Sequence, residues 1–187
     1  MESSMPLPLL SRDEAQAAGQ AAGIPERVAQ ANIMRFGLRH PKVAGVLAAM
    51  IDVAVLDGAL DARLREIAIL RVGWRIGSVY EWSNHVGVAR AAGLTDPEIV
   101  AIRAADASVL SDADLLAIRV VDEVLDATSV SESTLAEARA LLGDGDELVE
   151  LVAIPGFYRA IGTLLISFSV PLEDHLEPWL PDGRAPA

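Results

Sequence analysis

Apolar residues along this chain gather in long blocks, which prolines, glycines and short polar residues separate. No run of Val, Ile and aromatic residues alternates with polar residues between glycines, as a half-buried strand would. The chain also lacks an internal repeat at the periods that solenoid proteins use. This pattern predicts an all-α protein in which helices follow one another along the chain.

Proline, glycine and capping residues predict where these helices begin and end. Proline suits the first turn of a helix, a short polar side chain can accept hydrogen bonds from its first amides, and glycine favours its end. Thr95 with Glu98 and Ser111 with Asp114 have the spacing of a capping box. The predicted helices are 26–39, 41–57, 62–77 and 79–92, with later helices starting after Thr95, Ser111 and Ser131.

The most apolar stretch, residues 151–172, is long enough to span a lipid bilayer. However, Arg159 disfavours insertion by about 3 kcal/mol, and Pro155 followed by Gly156 should interrupt a helix. We therefore predict a pair of helices on either side of this interruption. A buried helix pair or an interface between subunits explains the apolarity better than a membrane span does.

Length and composition fit one compact domain, because 52% of the 187 residues are hydrophobic and 22% are charged. We predict a helical domain over residues 25–172, with an N-terminal arm over 1–24 and a C-terminal tail over 173–187. The tail is expected to lie on the surface and to pack through Trp179 at most. High apolarity with few aromatic residues also fits a protein that buries surface between its own subunits.

Charge and cysteine content argue against several classes of function. The formal net charge of −12 argues against a nucleic-acid partner, because phosphate binding requires a basic stripe. The absence of cysteine excludes disulfides, thiolate metal sites and redox chemistry on a thiol of this chain. The N-terminus has neither the basic start nor the long apolar run of a signal peptide, so we expect a cytoplasmic location.

Three polar residues recur at helical spacing in apolar surroundings. Ser78, Glu81 and His85 are three and then four residues apart, which places them on one face of a helix. A carboxylate four residues before an imidazole can orient it and raise its pKa, which suits proton transfer near neutral pH. The alternative is an ordinary intrahelical pair on a solvated face, but the neighbouring Tyr80 and Trp82 argue against a wet surface.

A second carboxylate is predicted to join this face from the preceding helix. Glu66 shares a stripe there with Leu70, Gly73 and Gly77. The two glycines would let the following helix approach closely, because they carry no side chain. Which carboxylate, Glu66 or Glu81, is the main partner of the imidazole stays open.

Other roles for these residues are less favoured. Two carboxylates and an imidazole could hold a divalent metal, but only His85 supplies nitrogen and the Glu-x-x-His spacing of di-iron bundles is absent, so no metal is expected. Ser78 lies two helical turns, about 10 Å, from His85 and is expected to cap a helix instead of acting as a nucleophile. Tyr158, next to the Pro155 break, could line the site or pack in the core.

The run RLREIAILRVGWRIGSVYEWSNHVGVARAAGLTDPEI resembles the core of the carboxymuconolactone decarboxylase family, whose other branch is the alkyl hydroperoxidase D type. In the thiol-dependent branch a Glu precedes two cysteines and a His. This chain keeps that spacing as Glu66, Ser78, Glu81 and His85, with both cysteines replaced. The YEWxxH form resembles the branch related to the decarboxylase itself, and GFYRAIGTLLISFSVPLE resembles the family's closing helix. The resemblance covers roughly residues 25–172.

The resemblance implies a helical bundle of the alkyl hydroperoxidase D-like type that needs no cofactor and assembles as a homotrimer or homohexamer. It implies an acid–base enzyme that decarboxylates a carboxylated lactone or β-keto acid through an enolate. A related isomerase or dehydratase, or a non-catalytic oligomeric binding protein, is the alternative; thiol peroxidase activity is excluded by the missing cysteines. The expected catalytic residues are His85, Glu81 and Glu66, and the expected substrate-binding residues are Ser78, Trp82, Asn84 and Tyr158.

Overall fold

The computed structural model describes residues 7–186, with the backbone alone at residue 55. This part of the chain is helical and contains no β-strand, which confirms the predicted all-α class. A short π-helical turn, Asp52–Leu56, follows the fourth helix. The α-helices are α1 Arg12–Ala21, α2 Glu26–Ala29, α3 Asn32–Gly37, α4 Pro41–Ile51, α5 Ala62–Arg75, α6 Val79–Ala91, α7 Asp96–Ile102, α8 Asp112–Ala127, α9 Glu132–Leu142 and α10 Asp146–Ser167.

Side-chain caps start the helices at the predicted places. Asp61 Oδ1 accepts from the amides of Arg63 and Leu64 at 3.0 and 3.3 Å, which satisfies donors that the first turn of α5 leaves unpaired. Reciprocal capping boxes open α7 at Thr95 and α8 at Ser111. These contacts confirm the helix starts that the sequence predicts there.

Helix α5 lies at the centre of the molecule and packs against α6, α8 and α10. Its residues 67–70 have no exposed surface, so every face of α5 is buried over this turn. A second apolar cluster joins α1, α3 and α4 to the C-terminal end of α10. The candidate site lies where α5, α6 and α10 meet these N-terminal helices.

The sequence prediction of a break at Pro155 is wrong, because α10 continues through it for 22 residues. Ile154, Pro155 and Tyr158 are buried on its inner face. Packing of α10 against α5 and α8 outweighs the missing proline amide hydrogen bond. Within residues 7–186, α10 is also the one helix whose length and composition would allow it to cross a membrane.

The predicted helix 26–39 is instead two short helices, α2 and α3. The break is held by the C-terminal tail, because Glu173 Oε1 accepts from the Asn32 amide at 2.9 Å. The Asn32 side chain in turn donates to the carbonyls of Pro171 and Leu172 at 3.2 and 3.0 Å. Partners about 140 positions away thus decide where α3 begins.

The two terminal segments pack more closely than the sequence suggests. Residues 1–6 of the expected arm lie outside the described residues, but 12–21 form α1, whose Ala15 and Gly19 are buried. The tail packs through more than Trp179: Tyr80 donates to Glu173 at 2.6 Å, and Trp82 donates its indole N–H to the Leu180 carbonyl. The tail therefore packs on α6, and α1 packs on α2 and α3.

Candidate active site

Helices α5 and α6 approach each other closely at Gly73. A Cβ atom added at Gly73 would lie 3.1 Å from the Trp82 nitrogen and 3.2 Å from Glu81 Cβ. This confirms the predicted close approach at Gly73, which brings the helices that carry Glu66 and Glu81 together. The prediction is wrong for Gly77, which lies beyond α5 with φ +70 and has no atom within 4 Å of an added Cβ. Gly77 adopts the left-handed backbone conformation that the turn between α5 and α6 requires.

Ser78 is a buried helix cap. Its side-chain oxygen accepts from the Glu81 amide at 3.3 Å and opens α6. This contact fixes the start of α6, so that Glu81 and His85 both face α5 and α10.

His85 lies between a carboxylate and a phenol. Its Nδ1 atom is 2.8 Å from Glu66 Oε2, and its Nε2 atom is 3.2 Å from the Tyr158 hydroxyl. Glu81 Oε2 is 4.0 Å from Nε2. The structure therefore makes Glu66, and not the residue four positions before His85, its main carboxylate partner.

This arrangement fixes the orientation of the imidazole. Glu66 accepts the hydrogen bond from Nδ1–H, which leaves Nε2 as the atom that gains or loses a proton. Neutral Nε2 accepts from the Tyr158 hydroxyl, and protonated Nε2 donates to its oxygen. The Tyr158 ring meets the imidazole edge-on at 5.2 Å between centroids, which holds the imidazole plane. His85 can thus move a proton without losing its position.

Burial shifts the ionisation of the whole cluster. Burial raises the pKa of Glu81 to about 7, against the opposing effect of the nearby His85. Burial by itself would lower the pKa of His85, but the charge and hydrogen bond of Glu66 outweigh it and raise that pKa. Burial, with the charges of Glu81 and Glu66, keeps the pKa of Tyr158 well above its usual value. Burial therefore favours the protonated form of Glu81 up to about pH 7, and Glu66 favours the protonated form of the imidazole.

A cavity of about 230 Å³ opens beside these groups. Its polar lining comes from Tyr80, Glu81, Asn84, His85 and Tyr158, and its apolar lining includes Ile33, Ile51, Val88 and Ile161. Glu66 is absent from this lining and lies behind the imidazole. The cavity thus exposes the reacting side of His85 in apolar surroundings.

Four of the predicted site residues meet at this cavity: Glu81, Asn84, His85 and Tyr158. Asn84 donates to the Tyr80 carbonyl at 2.9 Å and to Glu173 Oε2 at 3.2 Å. Ser78 lies outside the cavity lining. Trp82, expected to bind substrate, is fully buried and stacks near Trp74 and under the Arg103 guanidinium.

Two residues of the site have no assigned role in the sequence analysis. Tyr80 belongs to the YEW run, so its place one turn before Asn84 was a usable signal. Glu173 lies in the tail, and no spacing in the sequence links it to Tyr80 or Asn84. Within residues 7–186, no group of three or more His, Cys, Asp or Glu residues is arranged to hold a metal ion.

The raised pKa of Glu81 predicts a pH-dependent stability. Between about pH 5 and 7 the folded protein binds a proton on Glu81 that the unfolded chain has released, so stability falls as pH rises through this window. The raised pKa of His85 acts in the same direction, because its contribution is lost as pH rises above about 6.5. Glu81→Gln should remove the contribution of Glu81 to this pH dependence, up to about 3 kcal/mol in the free energy of unfolding. The plot of stability against pH should then be flatter.

Urea unfolding at a series of pH values measures this dependence. Glu26→Gln, at an exposed carboxylate of α2, is the matched control and should leave the slope unchanged. An unaltered slope in Glu81→Gln would contradict the ionisation assigned to Glu81.

Comparison with known proteins identifies the class of fold. The fold is similar to a crystal structure described as an alkylhydroperoxidase AhpD core, an uncharacterized peroxidase-related protein from Ralstonia eutropha JMP134. The TM-score is 0.71 at 16% sequence identity, over 90% of this chain and 92% of that chain. The chain therefore has the all-helical alkyl hydroperoxidase D-like fold. No curated protein sequence matches it.

The sequence itself matches a family model. Residues 41–123 match the model of the carboxymuconolactone decarboxylase family, which confirms the resemblance found in the sequence. The matched region contains Glu66, Glu81 and His85. Ala31, Ile33, Tyr158 and Ile161, which also line the cavity, lie outside it.

Proposed function

We propose that this chain is a cofactor-free acid–base enzyme that decarboxylates a carboxylated lactone or a β-keto acid. The observation that supports this is the position of His85: Glu66 holds Nδ1 at 2.8 Å, and Nε2 faces a small cavity with largely apolar walls. An imidazole fixed on one side and open to a ligand on the other has the geometry of a general acid or base. The family match supports the same class of chemistry.

In the proposed reaction, the bond between a substrate carbon and its carboxylate breaks. The electron pair moves onto the adjacent carbonyl to form an enolate, and carbon dioxide leaves. The protonated Nε2 of His85 then donates its proton to the carbon that lost the carboxylate. Water returns a proton to the imidazole, so one proton is consumed for each turnover.

The neighbouring residues have distinct roles in this scheme. Glu66 contacts Nδ1, on the side of the imidazole away from the cavity, where it orients the ring and favours its protonated form. Glu81, held protonated to about pH 7 by burial, donates a hydrogen bond to the developing enolate oxygen. The buried residues Ile33 and Ile161 surround the departing carboxylate with apolar side chains, which disfavours its charged form.

The chain has no cysteine, so its own residues offer no thiol for the reduction of peroxides. Ser78 and Glu81 stand where the thiol-dependent branch has its two cysteines. Proton transfer is therefore the chemistry that this set of side chains supports best.

The test is turnover of carboxylated lactones and β-keto acids by the purified full chain in deuterated buffer. Release of carbon dioxide, together with one solvent deuteron on the product carbon, would support the proposal. Turnover without loss of carbon dioxide would indicate an isomerase or dehydratase. Thiol-driven peroxide consumption would contradict the proposal, as would ligand binding without turnover across the set.

We also propose that the protein is a homo-oligomer. Val46 is 55% exposed on α4, and it lines an apolar groove with Val43, Met50 and Leu164 of α10. Val149 is 67% exposed on the same α10 helix. Exposed apolar side chains of this extent favour burial against another copy of the chain.

Light scattering during size-exclusion chromatography should give a mass well above the 19.8 kDa of one chain. Val46→Glu should lower that mass or weaken assembly about tenfold or more, because it places a charge in the apolar groove. Val109→Glu, at another exposed valine before α8, is the matched control. A monomer at micromolar concentration would refute the assembly.

A further inference from the structure

A second and larger cavity adjoins the candidate active site. It has a volume of about 560 Å³ and is formed by α1, α2, α3 and the tail. Among its lining residues, Asn84 alone lies within residues 41–123, the part that matches the family model. This cavity is therefore formed mainly by residues on either side of the matched region.

Three arginines line this cavity: Arg12, Arg27 and Arg35. Within the described residues, none of them has a carboxylate partner within 4 Å, although the whole chain carries a net charge of −12. Arg35 donates from Nε to the Leu10 carbonyl and from one terminal nitrogen to Asn32, both at 2.9 Å. Three guanidinium groups facing one cavity without an acidic partner favour an anionic ligand.

The acidic residues of the same cavity offset only part of this charge. Glu173 is engaged, because its carboxylate accepts from the Asn32 amide, the Tyr80 hydroxyl and the Asn84 amide group at 2.9, 2.6 and 3.2 Å. Asp174 is the other carboxylate in the lining, and it is exposed. Three arginines thus face two carboxylates, which leaves the lining with an excess of one positive charge.

The two cavities share part of their walls. Ala31 and Asn84 line both of them, and Tyr80 of the His85 cavity donates to Glu173 of the arginine cavity. The His85 cavity, at about 230 Å³, is smaller than the ligand sites of roughly 300–1,000 Å³ that are usual in proteins. A ligand that reacts at His85 and is longer than this cavity would extend past Asn84 towards the arginines.

We propose that the arginine cavity binds a second anionic group of the substrate, a carboxylate or a phosphate, while the reacting end lies at His85. This inference rests on the proposed function, since it extends the same substrate beyond the reacting group. Arginine suits this role because its planar guanidinium can donate two parallel hydrogen bonds to either oxyanion. The substrate is accordingly an elongated acid with anionic groups at both ends.

The three histidines of the chain provide internal reporters. His85 lines the small cavity, His175 lines the arginine cavity, and His40 is exposed at the start of α4 and lines neither. The probe is adipate, and hexanoate of the same chain length, with one carboxylate, is its control. A ligand that spans both cavities should shift the side-chain NMR signals of His85 and His175 and leave those of His40 unaffected.

Matched variants test the arginines. Arg12→Gln combined with Arg27→Gln should weaken adipate binding, measured by calorimetry, by about tenfold or more, because each change removes a charged hydrogen-bond donor. Arg39→Gln removes the same kind of charge from an exposed arginine outside the cavity and should change binding less than about twofold. Circular dichroism verifies that each variant is folded.

The analogue in which one adipate carboxylate is replaced by phosphonate distinguishes the two anion sources. Whichever ligand binds more tightly, with the same dependence on Arg12 and Arg27, identifies the second group. Equal binding of adipate to the double variant and to Arg39→Gln would overturn the proposal. So would adipate binding that leaves the His85 signals unshifted, or shifts with hexanoate equal to those with adipate. These readouts need no turnover, so a failed decarboxylase assay would not decide them.

Discussion

His85→Gln should lower kcat/KM on the true substrate by about a hundredfold or more, the usual contribution of a positioned acid or base. Glutamine can still donate to Glu66 and fill the same space, but it has no nitrogen that exchanges a proton near neutral pH. The loss should appear mainly in kcat, because the proton is delivered after the substrate has bound. Steady-state kinetics with the substrate found by the decarboxylation screen measures it.

Stability must be followed in the same variant, since a buried pair that loses one partner can cost about 3 kcal/mol. His40→Gln removes an exposed histidine outside both cavities and is the matched control. Full activity in a folded His85→Gln protein would end the acid–base interpretation. The contact with Glu66 would then be structural.

The second large effect is expected for Glu66→Gln, which should reduce turnover by roughly ten- to a hundredfold. The amide no longer selects the tautomer with hydrogen on Nδ1, and it no longer raises the pKa of His85 by charge. The protonated imidazole is the active form, so activity is lost as pH rises through the pKa of His85. In Glu66→Gln this loss should occur at a lower pH than in the original protein. A pH–rate profile therefore separates this role from a purely structural one.

Glu81→Gln provides the comparison for Glu66→Gln. Glu81 is 4.0 Å from Nε2, whereas Glu66 is 2.8 Å from Nδ1, so the loss of Glu81 should affect the His85 pKa and turnover less. If the pH–rate profile of Glu66→Gln matched that of the original protein, Glu66 would not be the residue that raises the pKa of the His85 imidazole.

Local sequence signals were enough to place the framework of this site. Capping at Asp61 and Ser78 starts α5 and α6, and helical spacing places Glu81 and His85 on one face. Gly73 signalled the close approach of the two helices because a residue without a side chain is needed there. These features depend on hydrogen bonds between residues a few positions apart and on side-chain size. They can therefore be predicted from the sequence alone.

The sequence by itself therefore determined the all-α class, most helix starts and the polar face of α6, all of which depend on interactions between near neighbours in the chain. Tertiary structure alone decided that α10 continues through Pro155, that Glu66 is nearer than Glu81 to His85, and that Glu173 joins the tail to Tyr80. These outcomes depend on contacts between residues from 19 to 93 positions apart. Such contacts form only when helices pack, and no local pattern encodes which distant side chain will be the partner.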